Sequence, residues 1–436
     1  MTTLTSVLRA DGRLLAPAAA TRAISIRKSV YDLTDAEVAS LRAAYAAIQG
    51  IADNRGYQYL AGIHGLPQYF CHHGDIEFVI WHRPYLLFFE QALQAQVASV
   101  TLPYWDWTTE RARAEGIPAI FATPTYKDAS GADVANPLYS AAITFANNDG
   151  LTATNRDPGP PDALGRLARD VDQALRNTDY DRFCSAIEQP HNFIHGWAGG
   201  TMGVVPYSAF DPVFWVHHCF IEKLFCEWQD TFPSTALPPS IDGQALAPFN
   251  TTTNDVWAYS ALGYQYAPDA ASSSPPLAAL TAAAGPPSPT HVTTIDLKRI
   301  PPDFARARLV LQEVSHPLTS FEARIFFTDG KPDASTPTAG NAEYAGSFFT
   351  FGHGGCTGGP GHCDVPPVPE DRALHLALRP RHHLTPARMS IDVTDALRAA
   401  KKSTGYAAIH MVAVDHRGVG MGPRGLDFEA VSIETT

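Results

Sequence analysis

Histidines 191 and 195 stand four apart in IEQPHNFIHGWAGG, a segment with helical spacing, so both imidazoles project from one face. A second segment, FDPVFWVHHCFIEKLFCEWQ, offers Asp211 and Pro212 as an N-cap and first helical residue. Phe214, His218, Ile221 and Phe225 then recur with helical period, which puts His218 on an inward face. Three imidazoles from two facing helices can close around one metal ion inside a bundle. No cysteine or carboxylate lies among them, so the set suits zinc or copper better than magnesium, calcium or an iron–sulfur cluster. The competing explanation is a group of core histidines satisfied by hydrogen bonds. The first half of the chain adds His64, Cys71, His72, His73 and His82. Six of these seven histidines can fall into two triads, the arrangement expected of a coupled dicopper centre that binds dioxygen. Phosphate-cradling glycine loops, a Gly-x-Ser-x-Gly elbow and Cys-x-x-Cys pairs are absent.

The elements that must hold these side chains are legible in order. Thr34 and Glu37 form a capping-box pattern ahead of Val38, Leu41, Tyr45 and Ile48 at helical spacing. GYQYLAGIHG reads as a short helix ending at Gly65 and carrying His64. The loop LPQYFCHHGD follows, then FVIWHRPYLLFFEQALQAQV, a strongly apolar helix with Pro84 near its start. LPYWDWT, residues 102–108, is an aromatic turn, and residues 109–159 read as long loops. Helical periodicity resumes over 162–176.

The pattern changes after a Pro/Ala/Ser-rich stretch. Four parts are expected: an irregular arm at 1–23, a helical dicopper domain at 24–266, a linker at 267–291, and an antiparallel β-sandwich at 292–436. ARLVLQEV, FEARIFFTD, GSFFTFG, MSIDVT and YAAIHMVAVDHRG supply its strands. The fold class is therefore α+β and multidomain, with a mainly helical four-helix bundle first. Cys356 and Cys363 flank CTGGPGHC, which a disulfide closes or two free thiols occupy. A chain of 436 residues can bury a large core, and a net charge of −12 argues against nucleic acid or an anionic membrane as partner. No apolar run reaches the length of a membrane span. Arg9, Asp11 and Arg13 break up the N-terminal apolar patches, so no secretory signal is read and a cytoplasmic location is expected.

Taken together, HG, Phe78 and WHR (His73 to Arg83), with HNFIHGW and DPVFWVHH, resemble the paired signatures of type 3 copper proteins, the tyrosinase, catechol oxidase and haemocyanin group. In layout the chain is most similar to a molluscan haemocyanin functional unit, from about Ile24 through LPYWDWT and on into RLVLQEV, GSFFTFG and SIDVTDAL. The resemblance implies two copper ions and dioxygen. It assigns His64, His73 and His82 to the first copper and His191, His195 and His218 to the second. It implies a Cys71–His73 thioether, and an aspartate four residues after the third ligand, where this chain has Glu222. His72 is expected to face solvent, His217 to pack behind the site, and His382 and His383 to lie on the surface.

The activity implied first is a copper-dependent phenol oxidase that hydroxylates monophenols and oxidises o-diphenols to o-quinones. A reversible dioxygen carrier is the alternative from another class, and an o-aminophenol oxidase of a biosynthetic pathway is a third. A carrier normally works as a multi-unit assembly, and this chain is one unit. A monophenol, with a pKa of about 10, must lose its proton to bind copper. The resemblance gives Glu188 and Asn192 the catalytic part, holding a water that accepts it. Gly196 is expected to leave room at the substrate entrance, or to serve a helix contact needing a small residue. Phe214 is expected in a dry wall beside the metals. A shielding side chain from the C-terminal domain is expected near Gln312 to His316.

Overall fold

The computed structural model describes residues 24–145, 150–268, 291–296, 300–301, 303–355, 363–365, 384–403, 406–421 and 426–436. The expected arm at 1–23, residues 269–290 of the expected linker, Cys356, His382 and His383 lie outside the described residues. The chain divides into two compact units. One is Met1–His191 with Gly200–Pro276, the other Asn192–Gly199 with Leu277–Thr436. The division falls inside one continuous helix.

In the first unit the main helices are α1 (Asp35–Gln49), α2 (Tyr57–Gly62), α3 (Phe78–Gln96), α4 (Leu167–Leu175), α5 (Tyr180–Ala198) and α6 (Pro212–Thr231), with α5 running on into the second unit. Helix α1 starts where the sequence says it should. The Glu37 N–H donates to Thr34 Oγ1 at 3.3 Å, and the Thr34 N–H donates back to the Glu37 carboxylate at 2.8 Å. Its buried face is Val38, Leu41, Ala44, Tyr45 and Ile48. Asp211 caps α6 by accepting the Val213 N–H at 2.9 Å, and Arg156 pairs with that carboxylate at 2.8 Å. Helix α2 stops at Gly62, earlier than the expected Gly65. The carbonyls of Gly62 and Ile63 accept from the N–H groups of Gln68 and Phe70, so the chain folds back instead of continuing, and His64 sits just past the helix end. The stretch 109–159 is less irregular than expected. It holds two short helices, Glu110–Glu115 and Ala119–Ala122, and a hairpin of β2 (Thr125–Lys127) and β3 (Asp133–Ala135). Strand β1 (Ser25–Arg27) pairs in parallel with β4 (Tyr264–Tyr266).

The second unit is sheet-rich, as the α+β reading requires. Strands β5 (His291–Asp296), β6 (Ala307–Val314), β7 (Phe321–Phe327), β8 (Tyr344–Thr350), β9 (Ala387–Asp392), β10 (Tyr406–Val414) and β11 (Ala430–Thr435) form two antiparallel sheets, ordered β5-β10-β7-β8 and β11-β6-β9. Leu309, Leu311, Ile325, Phe348, Ile391 and Met411, drawn from both sheets, share one apolar core. Helix α7 (Thr394–Ser403) is an addition to the strands read from the sequence; its Leu397 is buried in that core. Cys363 is disulfide-bonded, while Cys71, Cys184, Cys219 and Cys226 are free thiols. Among the described residues no helix is long and apolar enough to cross a membrane.

Helices α3 and α6 are joined by a buried ion pair. The Arg83 Nε donates to Glu222 at 3.0 Å, and both side chains are almost wholly enclosed. The same guanidinium donates to the carbonyls of Val256 and Trp257 at 2.9 and 2.6 Å and to the Gln229 side chain at 2.9 Å. Tyr264 Oη and Cys226 Sγ both donate to Glu222. Glu222, at the position where the family's aspartate is expected, therefore serves Arg83. Glu222→Ala would leave a buried guanidinium without its counter-charge, a loss of about 3–5 kcal/mol. Denaturant unfolding should show it, and a change under about 1 kcal/mol, the range of an exposed pair, would contradict this role for Glu222.

Candidate metal centre

His82 lies one turn into α3 and is buried. Its Nδ1 lies 2.7 Å from the Phe78 carbonyl, an acceptor, so Nδ1 carries the proton and Nε2 keeps its lone pair. That Nε2 is buried with no hydrogen-bond partner. Burial, opposed by the Phe78 carbonyl, pulls the ring's pKa down to about 3, which keeps it neutral near pH 7. His64 is held by the fold-back after α2, its Nδ1 3.5 Å from Ser208 Oγ. Ring centroids separate His64 from His73 by 5.1 Å, His64 from His82 by 5.5 Å and His73 from His82 by 5.5 Å. Cys71 belongs to the same cluster: ligand atoms of His64, Cys71 and His73 lie within 4.8 Å of one another.

The second group is His191, His195, His217 and His218, all buried, with ligand atoms again within 4.8 Å. His191 and His195 are one turn apart on α5, as their spacing requires. Nε2 of His191 and Nε2 of His218 are 3.2 Å apart, converging on one point. The two groups adjoin. The rings of His82 and His218 stack at 4.4 Å, and those of His73 and His191 at 5.6 Å. The Phe214 ring stands 4.1 Å from that of His218 and 4.8 Å from that of His64.

A family model described as the common central domain of tyrosinase matches residues 54–231. Hemocyanin G-type, units Oda to Odg, of Enteroctopus dofleini is 35% identical over 227 residues, 47% of this chain and 8% of that protein. Hemocyanin beta-C chain unit G of Helix pomatia is 32% identical over 280 residues, 56% of this chain and 66% of that one. A functional unit from octopus hemocyanin shares the fold with a TM-score of 0.62 at 22% identity, over 94% of this chain and 99% of its own. A tyrosinase from Burkholderia thailandensis does so with a TM-score of 0.63 at 18% identity, over 94% and 100%. The chain is a type 3 copper protein. It spans less than a tenth of the length of the first curated relatives it matches.

The family holds two copper ions, and the donors of this type 3 copper protein fit them. Neither group has a carboxylate among its ligand atoms; His64, His82, His191, His195 and His218 are buried and His73 partly so, and His82 Nε2 is an orphaned lone pair that a soft cation satisfies. Other expected residues sit differently from the sequence reading. His72 is half-buried, its ring stacked on Trp81 at 5.8 Å and its Nδ1 3.1 Å from Glu77, so it does not simply face solvent. His217 is inside the second histidine group. Gly196 is not open: an added Cβ would come within 3.3 Å of the Ser320 Cβ in the second unit, which favours the packing explanation for this glycine. Glu188 accepts the Gly74 N–H at 2.6 Å. Asn192 donates to the Phe349 carbonyl at 3.1 Å. Phe351, unremarked in the sequence, stacks on His195 at 4.0 Å within the second unit. Trp107 was visible only as part of an aromatic turn, and its indole N–H reaches His217 Nδ1 at 3.1 Å.

Proposed function

We propose that this protein is a phenol oxidase that uses dioxygen to turn monophenols and o-diphenols into o-quinones. Its ligands would be His64, His73 and His82 for one copper and His191, His195 and His218 for the other. The bound pair would supply dioxygen binding and two-electron redox chemistry. A monophenol plus dioxygen then gives an o-quinone plus water, and two o-diphenols plus dioxygen give two o-quinones and two waters. The observation that carries this reading is Glu188. It is a buried carboxylate one turn before His191 on the ligand helix, and burial, opposed by the Gly74 N–H, pushes its pKa up to about 8. A carrier needs no base at this place, whereas a hydroxylase must take a proton from a phenol of pKa about 10. Gly74 engages Glu188 Oε1. The Glu188 carboxylate would receive the proton through a water, the part that the family resemblance gives it together with Asn192. Phe214 packs the substrate ring from the apolar side.

Glu188→Gln should lower monophenol turnover by roughly a hundredfold while o-diphenol turnover changes little. In the unsubstituted protein the monophenol-to-diphenol ratio should climb as pH rises through about 8, where Glu188 ionises, and the variant should lack that rise. Equal losses on both substrates, or none, would remove Glu188 from the reaction.

Cys71 and His73 adjoin in one ligand cluster, which supports a thioether between them. The bond would fix a ligand carried on a loop, where ordering a side chain is costly. Peptide mass spectrometry of copper-matured protein should find the peptide carrying both residues lighter by two hydrogens. An alkylatable Cys71 in that protein would refute the bond.

One observation favours the carrier reading. The Phe351 ring lies over His195, 22° from parallel, and limits access to that imidazole. It is a candidate for the shielding side chain that was expected near Gln312 to His316, where His316 instead packs on His353 at 3.9 Å. In an enzyme, Phe351→Ala should raise turnover of a bulky catechol several-fold. In a carrier the same variant would bind dioxygen reversibly and turn over no catechol.

A further inference from the structure

His217 and His218 are neighbours in sequence, both fully buried on α6, and ligand nitrogens of both fall in the same four-histidine group. Proximity does not choose between them. Their hydrogen bonds do. An imidazole that ligates a metal through one nitrogen carries a proton on the other and donates it to an acceptor. His82 shows that state, with the Phe78 carbonyl 2.7 Å from its Nδ1. His217 faces the opposite partner. Trp107 Nε1 lies 3.1 Å from His217 Nδ1, and an indole nitrogen can only donate. His217 Nδ1 must therefore offer its lone pair to Trp107, and the proton of the neutral ring resides on Nε2. In that tautomer neither nitrogen is available: one lone pair is engaged and the other nitrogen is protonated.

The donor itself is held firmly. Trp107 is fully buried, and its ring meets Phe220 of α6 edge-on at 5.0 Å. Two residues earlier, the Trp105 N–H donates to the Val216 carbonyl at 2.9 Å, pinning the turn at 102–108 to the residue just before His217. We infer that Trp107 is a positioning residue that locks His217 out of the second metal's ligand set and so reserves that place for His218. The inference rests on the histidine group being a metal site, and not on which reaction the site performs. All its readouts are ring tautomer and metal content.

Nitrogen-15 NMR of histidine-labelled, metal-free protein should show His217 with an unprotonated Nδ1 and a protonated Nε2. A protonated Nδ1 there would overturn the inference without any substitution being made. Copper per chain then tests the consequence. His217→Phe should keep both coppers. His218→Ala should fall from two to one, because the locked His217 cannot replace the missing ligand. Adding Trp107→Phe to His218→Ala removes the indole N–H, frees His217 and should return the count toward two. Loss of a copper in His217→Phe, retention of two in His218→Ala alone, or a double variant that stays at one would each overturn it. A protein that binds no copper in any form would instead count against the metal-site reading, with the NMR result still standing for the tautomer.

Discussion

The Arg83–Glu222 pair sets the geometry that the metal centre depends on. Taking two charges out of water costs several kcal/mol for each ion, and such a pair survives only if its remaining donors and acceptors are satisfied. Here they are: Val256, Trp257 and Gln229 take the rest of the guanidinium, and Tyr264 and Cys226 donate to the carboxylate. Arg83 directly follows His82, and Glu222 lies one turn after His218. Locking one to the other fixes the rotation and register of α3 against α6, which is what lets the His82 and His218 rings stack at 4.4 Å. A second pair of the same kind, Arg27 with Glu90 at 2.7 Å, holds the far end of α3 to β1. The long apolar helix is thus tethered at two points by charge, and apolar packing fills the space between.

Within that frame the backbone and a single indole sort the imidazoles. A carbonyl beside Nδ1 puts the His82 proton there and leaves the lone pair on Nε2, whereas a donor beside Nδ1 puts the His217 lone pair on Nδ1. The difference is one of hydrogen-bond polarity at equal burial, so no measure of exposure or distance would reveal it. The same economy applies to Glu188. One backbone N–H from the loop that carries His73 holds the carboxylate, and burial keeps it protonated up to about pH 8. A group held in that state is suited to exchanging a proton near neutral pH. It also ties the loop bearing His73 to the helix bearing His191.

Much of this was open to reading from the residues alone, because it depends on local periodicity and donor chemistry. His191 and His195 share a helix face through their spacing of four, Thr34 with Glu37 and Asp211 with Pro212 mark helix starts, and alternating apolar residues give the strands of the second unit. An all-histidine donor set without carboxylates already pointed to copper or zinc, and the paired signatures to the type 3 family. What the tertiary structure decided is every relation between residues distant in the chain. That Glu222 faces Arg83 across 139 residues, that Glu188 reaches the Gly74 N–H across 114, and that Trp107 meets His217 across 110 follow from how elements pack. Phe351 over His195 is of the same kind, as is the Ser320 Cβ lying 3.3 Å from where a Cβ on Gly196 would stand. A sequence states which donors and acceptors a residue owns; only the fold states which of them face each other, and in a buried site that facing sets proton positions and ligand choice.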